Sequence, residues 1–165
     1  MRARSISHAG PARLIALLAW GGVAVALLTQ YRWGLQPCPW CIIQRLAYLI
    51  VGVFAILSLL STQSRLWARA PLVLACVAAL GGLAAALYQH FVAAQTSSCA
   101  FTAADKFLMA TGLDELLPSV FKATAACDEA NAPMLGIPYS LWSAMLALVL
   151  MALVFHAWRR AGIRS

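Results

Sequence analysis

Apolar residues dominate four long stretches of this 165-residue chain, and most charged residues fall in the segments between them. The stretches cover residues 14–30, 42–60, 71–92 and 140–158. Each has close to the ~20 residues that a helix needs to cross ~30 Å of hydrocarbon. None shows the period-two alternation of a membrane barrel strand, and a helix satisfies its own backbone hydrogen bonds inside a bilayer. The pattern predicts an all-α integral membrane protein, with residues 1–165 forming one four-transmembrane-helix bundle.

The composition excludes an ordinary soluble domain. Hydrophobic residues make up 63% of the chain and charged residues only 10%, whereas soluble proteins carry about 25% charged residues. The formal net charge of +7 comes mainly from arginines that are divided among three short segments. It therefore reflects membrane topology and does not indicate a nucleic-acid partner.

The cations predict the orientation, because Lys and Arg are retained on the cytoplasmic side of short loops. Eight arginines flank the ends of the stretches on one side: Arg2, Arg4, Arg13, Arg65, Arg69, Arg159, Arg160 and Arg164. All five acidic residues lie on the opposite side. Both termini and the loop 61–70 are therefore predicted to be cytoplasmic, and the loops 31–41 and 93–139 are predicted to lie on the opposite, extracytoplasmic side. A cleaved signal peptide is the alternative for the first stretch, but no A-x-A-like site follows Gln30.

The long loop 93–139 contains apolar residues at roughly helical spacing. They are Phe107, Leu108, Leu113, Leu116, Leu117, Val120 and Phe121. The spacing predicts a short amphipathic helix lying on the membrane surface. An ordinary helix that caps the bundle is the alternative, and Pro118 would bend or break either one.

Small residues predict how two of the membrane helices pack. Gly21 and Gly22 lie in the first stretch, and Gly81 and Gly82 lie in the third among several alanines. Such small surfaces let helix backbones approach closely in a membrane. These residues therefore provide surfaces where the first and third helices could approach closely.

Four of the five cysteines lie outside the apolar stretches, on the predicted extracytoplasmic side: Cys38, Cys41, Cys99 and Cys127. Disulfides persist in oxidising compartments, so these residues are predicted to form disulfide pairs. Cys76 lies in the middle of the third stretch. There it is expected to be an unpaired structural residue, because a free cysteine packs as a small apolar side chain.

The candidate chemistry is concentrated where the second helix begins, at Cys38-Pro39-Trp40-Cys41. Pro39 fixes one backbone angle, which allows the two sulfurs to face each other in a tight turn. Cys41 would then lie in the first helical turn, where unpaired N–H groups and the helix dipole favour a thiolate. Arg45 follows four residues later, on the same helix face as Cys41.

Two further residues have both a functional and an ordinary interpretation. Arg45 could stabilise the thiolate or an anion developing on a bound acceptor, or its side chain could simply extend to the lipid headgroups. We favour the functional role, because Arg45 lies directly below the CxxC on the side that is poor in arginine. His90, at the outer end of the third helix, could hydrogen-bond a quinone carbonyl or could simply be solvated.

Two other uses of four cysteines fit less well. A structural zinc site usually has two short C-x₂₋₄-C pairs, whereas 27 residues separate Cys99 from Cys127. We therefore predict no metal site. A structural disulfide closing a loop of about 28 residues could contribute roughly 3 to 4 kcal/mol, which suits Cys99 and Cys127. It does not suit Cys38 and Cys41, because so small a ring adds little stability.

The residues together resemble the disulfide bond formation protein B (DsbB) family of bacterial inner-membrane proteins. The resemblance covers nearly the whole chain. It includes the CxxC followed by Gln44-Arg45, and four further motifs: Tyr88-Gln89-His90, Cys99-Ala100-Phe101, Cys127-Asp128-Glu129 and Leu135-Gly136-Ile137-Pro138 with Trp142. Members of this family reoxidise the periplasmic thiol oxidase DsbA and pass the electrons to a quinone.

The resemblance implies a role for each cysteine. Cys99 would be attacked by the reduced DsbA-like partner, releasing Cys127, which would then attack Cys38. Cys41 would become the free thiolate and reduce ubiquinone or menaquinone held near Arg45, His90 and Gln44. Besides this partner, we expect contact only with membrane lipid and the quinone pool, and the chain is expected to be a monomer.

Two positions depart from the family pattern. Some members have a methionine where this chain has Ile137, so a quinone contact from that position is in doubt. Trp40 replaces the smaller aliphatic residue found in other CxxC motifs of the family, and it could shape the loop or tune the potential of the pair.

Two alternatives to this function stay open. A vitamin K epoxide reductase-like enzyme also uses four helices and paired cysteines, but there the CxxC follows the loop pair in the chain. A non-enzymatic membrane scaffold with structural disulfides would have no use for Arg45 beside Cys41.

Overall fold

The computed structural model describes residues 9–60, 65–95 and 102–161. Four long helices account for most of them: α1 (Ala9–Trp33), α2 (Pro39–Leu60), α3 (Arg65–Phe91) and α8 (Tyr139–Ala161). All four are long and apolar enough to cross a membrane. The predicted all-α fold with four membrane helices is confirmed. The helices extend beyond the predicted stretches at most ends, because a helix continues into polar turns that carry no apolar pattern.

The helices pack in the ring order α1, α2, α3, α8. Helix α1 packs against α2 and α8, and α3 packs against the same two helices. The first and third helices, which the small residues could have allowed to approach closely, are not among the main packing pairs of the described residues. Gly22 lies against Leu146 of α8, and Gly82 lies against Ala47 and Tyr48 of α2. Small residues show where a backbone can be approached, but they do not specify which helix approaches it.

The interior of the bundle is built largely from alanine and β-branched or leucine side chains. Residues buried in one common core include Ile15, Ala19, Val51, Ala75, Leu72, Ala147 and Leu150. Large apolar side chains such as Leu17, Leu60, Val77 and Phe155 are exposed on the outside of the bundle. This distribution suits a protein whose outer surface faces lipid, since hydrocarbon does not drive apolar side chains inward.

The segment between α3 and α8 contains a 3₁₀ turn (Ala93–Gln95) and four short helices: α4 (Ala103–Thr111), α5 (Leu113–Leu116), α6 (Pro118–Phe121) and α7 (Cys127–Ala130). The predicted amphipathic helix is thus interrupted twice. Gly112 ends α4 with a left-handed φ of +62°, a conformation that glycine adopts without strain. Pro118 then starts α6. A two-residue hairpin, β1 (Pro133–Met134) with β2 (Ile137–Pro138), leads into α8.

The short helices have one packed face and one exposed face. Leu108 and Phe121 are buried against Ile42 in the first turn of α2. Met109, Leu116 and Leu117 remain exposed. The segment therefore covers the end of the bundle at which α2 begins, and it also presents apolar side chains outward.

Candidate redox site

The CxxC motif lies at the beginning of α2, as predicted. The Ile42 N–H donates to the Cys38 carbonyl over 3.1 Å, so Cys38 precedes the helix and Pro39 is its first residue. Proline suits this position, because its missing N–H would have no partner inside the helix. The sulfurs of Cys38 and Cys41 are 3.2 Å apart and share a hydrogen bond, and both residues are buried. The two thiols are therefore placed to form a disulfide after a small approach.

Backbone hydrogen bonds dock the Cys127 segment onto the loop before the CxxC. The amides of Thr124 and Ala125 both donate to the Pro37 carbonyl, over 3.0 and 3.3 Å. The Thr124 hydroxyl donates to Oε1 of Gln36 over 2.7 Å. The half-buried Cys127 is thereby brought into hydrogen-bonding contact with Cys38. Three of the four predicted redox cysteines thus meet, and Cys99 lies outside the described residues.

Hydrogen bonding divides the protons unequally between Cys38 and Cys127. The pKa of Cys38 is raised above that of an ordinary thiol by its hydrogen bonds to Cys127 and Cys41 and by burial. The pKa of Cys127 is lowered, because its sulfur accepts the hydrogen bond from Cys38, although burial opposes the shift. When Cys38 and Cys127 are both reduced, the proton therefore stays on Cys38, and Cys127 is the more readily deprotonated thiol of the two.

This division predicts how fast Cys127 reacts with iodoacetamide. In a protein that lacks Cys41, Cys76 and Cys99, the further change Cys38→Ala removes the hydrogen-bond donor and returns the Cys127 pKa toward its ordinary value. A higher pKa leaves less thiolate at neutral pH, so alkylation of Cys127 at pH 7 should slow by about threefold or more. Mass spectrometry of the Cys127 peptide measures this rate. An unchanged or faster rate would show that Cys38 does not activate Cys127.

The Arg45 side chain points into the protein. It is buried, with only 5% of its surface exposed. Its Nη1 donates to Oε1 of Gln30 over 2.8 Å and to the Val120 carbonyl over 3.0 Å, and Nη2 donates to the Ala26 carbonyl over 3.5 Å. These acceptors are neutral groups, so they hold the guanidinium in place and leave its positive charge uncompensated.

Gln44 and Gln89 form a buried pair beside Cys41. Nε2 of Gln44 donates to Oε1 of Gln89 over 2.6 Å, and Nε2 of Gln89 donates to the Cys41 sulfur over 3.2 Å. Gln44 was predicted to contact a cofactor, whereas the contact of Gln89 with the sulfur was not predicted. The position of Gln89 in the Tyr88-Gln89-His90 motif, at the depth of Arg45, was the available sequence signal.

A cavity of about 220 Å³ lies beside the CxxC. Its lining includes Cys41, Gln44, Arg45, Tyr48, Met134, Tyr139 and Trp142, and most of the lining surface is apolar. Three of these residues were not predicted from the sequence: Tyr48, Met134 and Tyr139. A mostly apolar pocket with a few convergent polar groups is typical of sites for small apolar ligands.

The cavity fits the headgroup of a quinone by its donor chemistry. A guanidinium has five N–H donors, and the described protein acceptors engage three of them. Arg45 therefore retains donors for a carbonyl oxygen in the cavity. Among the described cysteines, Cys41 lines this space, so its sulfur can face the same ligand.

His90 lies elsewhere, in a chain of hydrogen bonds that runs to the loop after Cys127. The Ser140 hydroxyl and amide both donate to Oδ1 of Asn131, over 2.6 and 3.1 Å. The hydroxyl proton of Ser140 is used in the contact with Asn131. Nδ1 of His90, which lies 3.2 Å from Oγ of Ser140, is therefore the donor to that oxygen. His90 is not among the residues that line the described cavity. Its contact with a quinone stays a prediction.

The two departures from the family pattern also have defined positions. The Trp40 ring packs against Tyr88 of α3, with ring centroids 4.6 Å apart. Ile137 pairs with Met134 across the hairpin, and Met134 is the member of this pair that lines the cavity.

The four membrane helices and the three clustered thiols define a multi-pass membrane protein with a cluster of cysteines at the beginning of α2. The family model described as disulfide bond formation protein DsbB matches residues 10–157, and the chain belongs to this family.

Curated relatives support the same family. The chain is 35% identical to a disulfide bond formation protein B of Ralstonia nicotianae, over 89% of this chain and 94% of the relative. Proteins of the same name from Cupriavidus metallidurans and Nitrosomonas europaea are 33% and 30% identical. They cover 83% and 92% of this chain, and 84% and 94% of their own lengths. No solved structure matches the chain at a significant level.

Proposed function

We propose that the protein is a protein-dithiol:quinone oxidoreductase of the bacterial inner membrane. It reoxidises a periplasmic DsbA-like thiol oxidase and passes the electrons through Cys99–Cys127 and Cys38–Cys41 to ubiquinone or menaquinone. The observation that carries the proposal is the series of contacts from Cys127 to Cys38 to Cys41, which ends at the cavity. A purely structural role for the thiols would not require the last of them to line a ligand-sized space.

Electrons enter at Cys99 in this mechanism. A thiolate of the reduced partner attacks the Cys99 sulfur, the Cys99–Cys127 bond breaks, and Cys127 leaves with the electron pair. The second partner thiol then displaces Cys99 and leaves the partner oxidised.

The second exchange joins the two cysteine pairs. The Cys127 thiolate attacks Cys38, the Cys38–Cys41 bond breaks, and Cys41 takes the electron pair. Cys99 then displaces Cys38 from Cys127, which restores the Cys99–Cys127 disulfide and leaves Cys38 and Cys41 reduced. The docking of Thr124 and Ala125 on Pro37 supports this step, since it holds Cys127 next to Cys38.

The last exchange restores the Cys38–Cys41 disulfide. A bound quinone supplies a two-electron, two-proton acceptor, which balances the oxidation of one dithiol. Cys41 faces this acceptor across the cavity, and Arg45 and Gln44 orient it by hydrogen bonding. Arg45 also offsets negative charge that develops on the carbonyl oxygen.

The distribution of arginine supports the proposed orientation, with both termini in the cytoplasm. The redox cysteines then lie at the periplasmic face, where disulfides persist and a periplasmic thiol oxidase can reach Cys99.

Mixing the purified protein with a reduced DsbA-like oxidase and quinone tests the function. The quinone absorbance should fall catalytically, and Cys99→Ala should lower the rate by at least about 100-fold, since it removes the sulfur that accepts the partner. With a small dithiol such as dithiothreitol, which can reduce Cys38–Cys41 directly, Cys99→Ala should retain quinone reduction. If Cys99→Ala turns over with the protein partner at the normal rate, the proposed entry point is wrong.

A further inference from the structure

Two glutamine side chains are buried together inside the membrane bundle. Gln89 has 0% of its surface exposed and Gln44 has 4%. Each amide has two donor hydrogens and an accepting carbonyl, and burial makes unpaired groups of this kind costly. The pair lies where the proposed electron path reaches the cavity, because Gln89 contacts the Cys41 sulfur and Gln44 lines the cavity.

The hydrogen bond between the two glutamines determines which end of the Gln89 amide faces the Cys41 sulfur. Nε2 of Gln44 donates to Oε1 of Gln89, so the carbonyl of Gln89 is occupied. The amide nitrogen of Gln89 is thereby turned toward the Cys41 sulfur, 3.2 Å away. If both amides were flipped, the Gln89 carbonyl would face the sulfur instead. That arrangement could accept a hydrogen bond from a thiol, but it would repel a thiolate.

Cys41 needs such a donor at one point of the reaction. When Cys127 attacks Cys38, the Cys38–Cys41 bond breaks and the electron pair goes to the Cys41 sulfur, which becomes a buried anion. An N–H directed at that sulfur becomes a charge-assisted hydrogen bond at that moment, and such bonds are about twice as strong as neutral ones. A donor that is already oriented needs no rearrangement when the charge appears.

We propose that Gln89 stabilises the Cys41 thiolate through its side-chain N–H, and that Gln44 is a positioning residue that fixes the orientation of the Gln89 amide. The inference rests on the proposed function and extends it. It assigns to Gln44 a role in addition to a contact with the quinone.

The test uses the full-length protein with alanine in place of Cys38, Cys76, Cys99 and Cys127, so that Cys41 is the sole thiol. Its thiolate is measured by absorbance at about 240 nm and by the rate of alkylation with iodoacetamide at pH 7. Gln89→Met, which keeps the length of the side chain and removes its donors, should slow alkylation about tenfold. Gln44→Met should slow it about threefold. The absorbance should fall in both variants.

The double variant separates positioning from direct contact. If Gln44 acts only through Gln89, Gln44→Met should add nothing to the effect of Gln89→Met. Gln95→Met is the matched control, because Gln95 is an exposed glutamine near the same end of α3 that donates to the His90 carbonyl and not to sulfur. Its alkylation rate should stay within about twofold of that of the parent.

Turnover in the protein with all its cysteines gives the second measurement. Gln89→Met should lower kcat for quinone reduction about tenfold and leave KM for the thiol partner within about twofold, because exchange at Cys99 does not involve Gln89. Should Gln89→Met fail to fold, as judged by helical circular dichroism, the effect of Gln44→Met on alkylation decides. Unchanged alkylation and absorbance in the folded variants overturn the inference. Absence of quinone reduction in the parent would refute the proposed function, while the alkylation rates still report on Gln89.

Discussion

Replacing Cys41 with serine is expected to lower the rate of quinone reduction by at least about 10³-fold while the protein still folds. Serine nearly matches cysteine in size, so the start of α2 should keep its structure. It cannot form the Cys38–Cys41 disulfide, however, and among the described residues no thiol then lines the cavity. The measurement is the quinone absorbance with a reduced DsbA-like partner, together with the melting temperature of each protein.

Cys76→Ser is the matched control for this change. Cys76 is only partly buried, and it packs against the bundle core far from the CxxC in sequence. Its substitution should leave turnover within about twofold of the parent. If Cys41→Ser keeps more than a tenth of the parent rate, electrons do not pass through this sulfur, and a non-enzymatic scaffold with structural cysteines becomes the better interpretation.

The second large effect is expected at Arg45. Arg45→Met should lower kcat/KM for quinone by about 10- to 100-fold, mainly through a higher KM. Arg45 is the charged residue among those that line the described cavity, so the variant loses both the positive charge and the donors for a carbonyl oxygen. The measurement is the initial rate over a range of quinone concentrations, with the partner at saturation.

Two further variants show whether the effect belongs to the guanidinium. Arg45→Lys keeps the charge but cannot reproduce the two-pronged geometry that reaches Gln30 and Ala26, so its loss should be intermediate. Arg32→Met removes an exposed cation near the end of α1, and it should change KM by less than about twofold. Equal losses at Arg32 and Arg45 would indicate a general electrostatic effect and not a contact in the cavity.

The sequence predicted the features that depend on long apolar runs and on local geometry. Four membrane helices follow from hydropathy alone, because the bilayer excludes other structures. The position of the CxxC at the start of α2 follows from Pro39. Hydropathy could not decide whether the Arg45 side chain turns into the protein or extends to the lipid headgroups. The acceptors that hold it inside belong to α1 and to the distant residue Val120.

The contacts between distant segments could not be predicted in the same way. Cys127 reaches Cys38 through backbone donors of Thr124 and Ala125, and backbone amides leave no signature in a sequence. The lining of the cavity by Met134 and Tyr139 depends on the hairpin before α8. The interruption at Gly112 could have been anticipated, since glycine favours the left-handed conformation that ends a helix.

The hydrogen bonds of Arg45 join α1, α2 and the segment that leads to Cys127, because a single nitrogen, Nη1, serves both Gln30 and Val120. A ligand carbonyl that approached Nη1, and not the N–H groups that remain free, would compete with Val120, seven residues before Cys127. Binding of such a ligand and release of the segment from Val120 to Cys127 would then be thermodynamically linked, and each would favour the other to the same extent. Arg45 would thereby couple the binding of the oxidant to the freedom of Cys127 to take part in the next thiol–disulfide exchange.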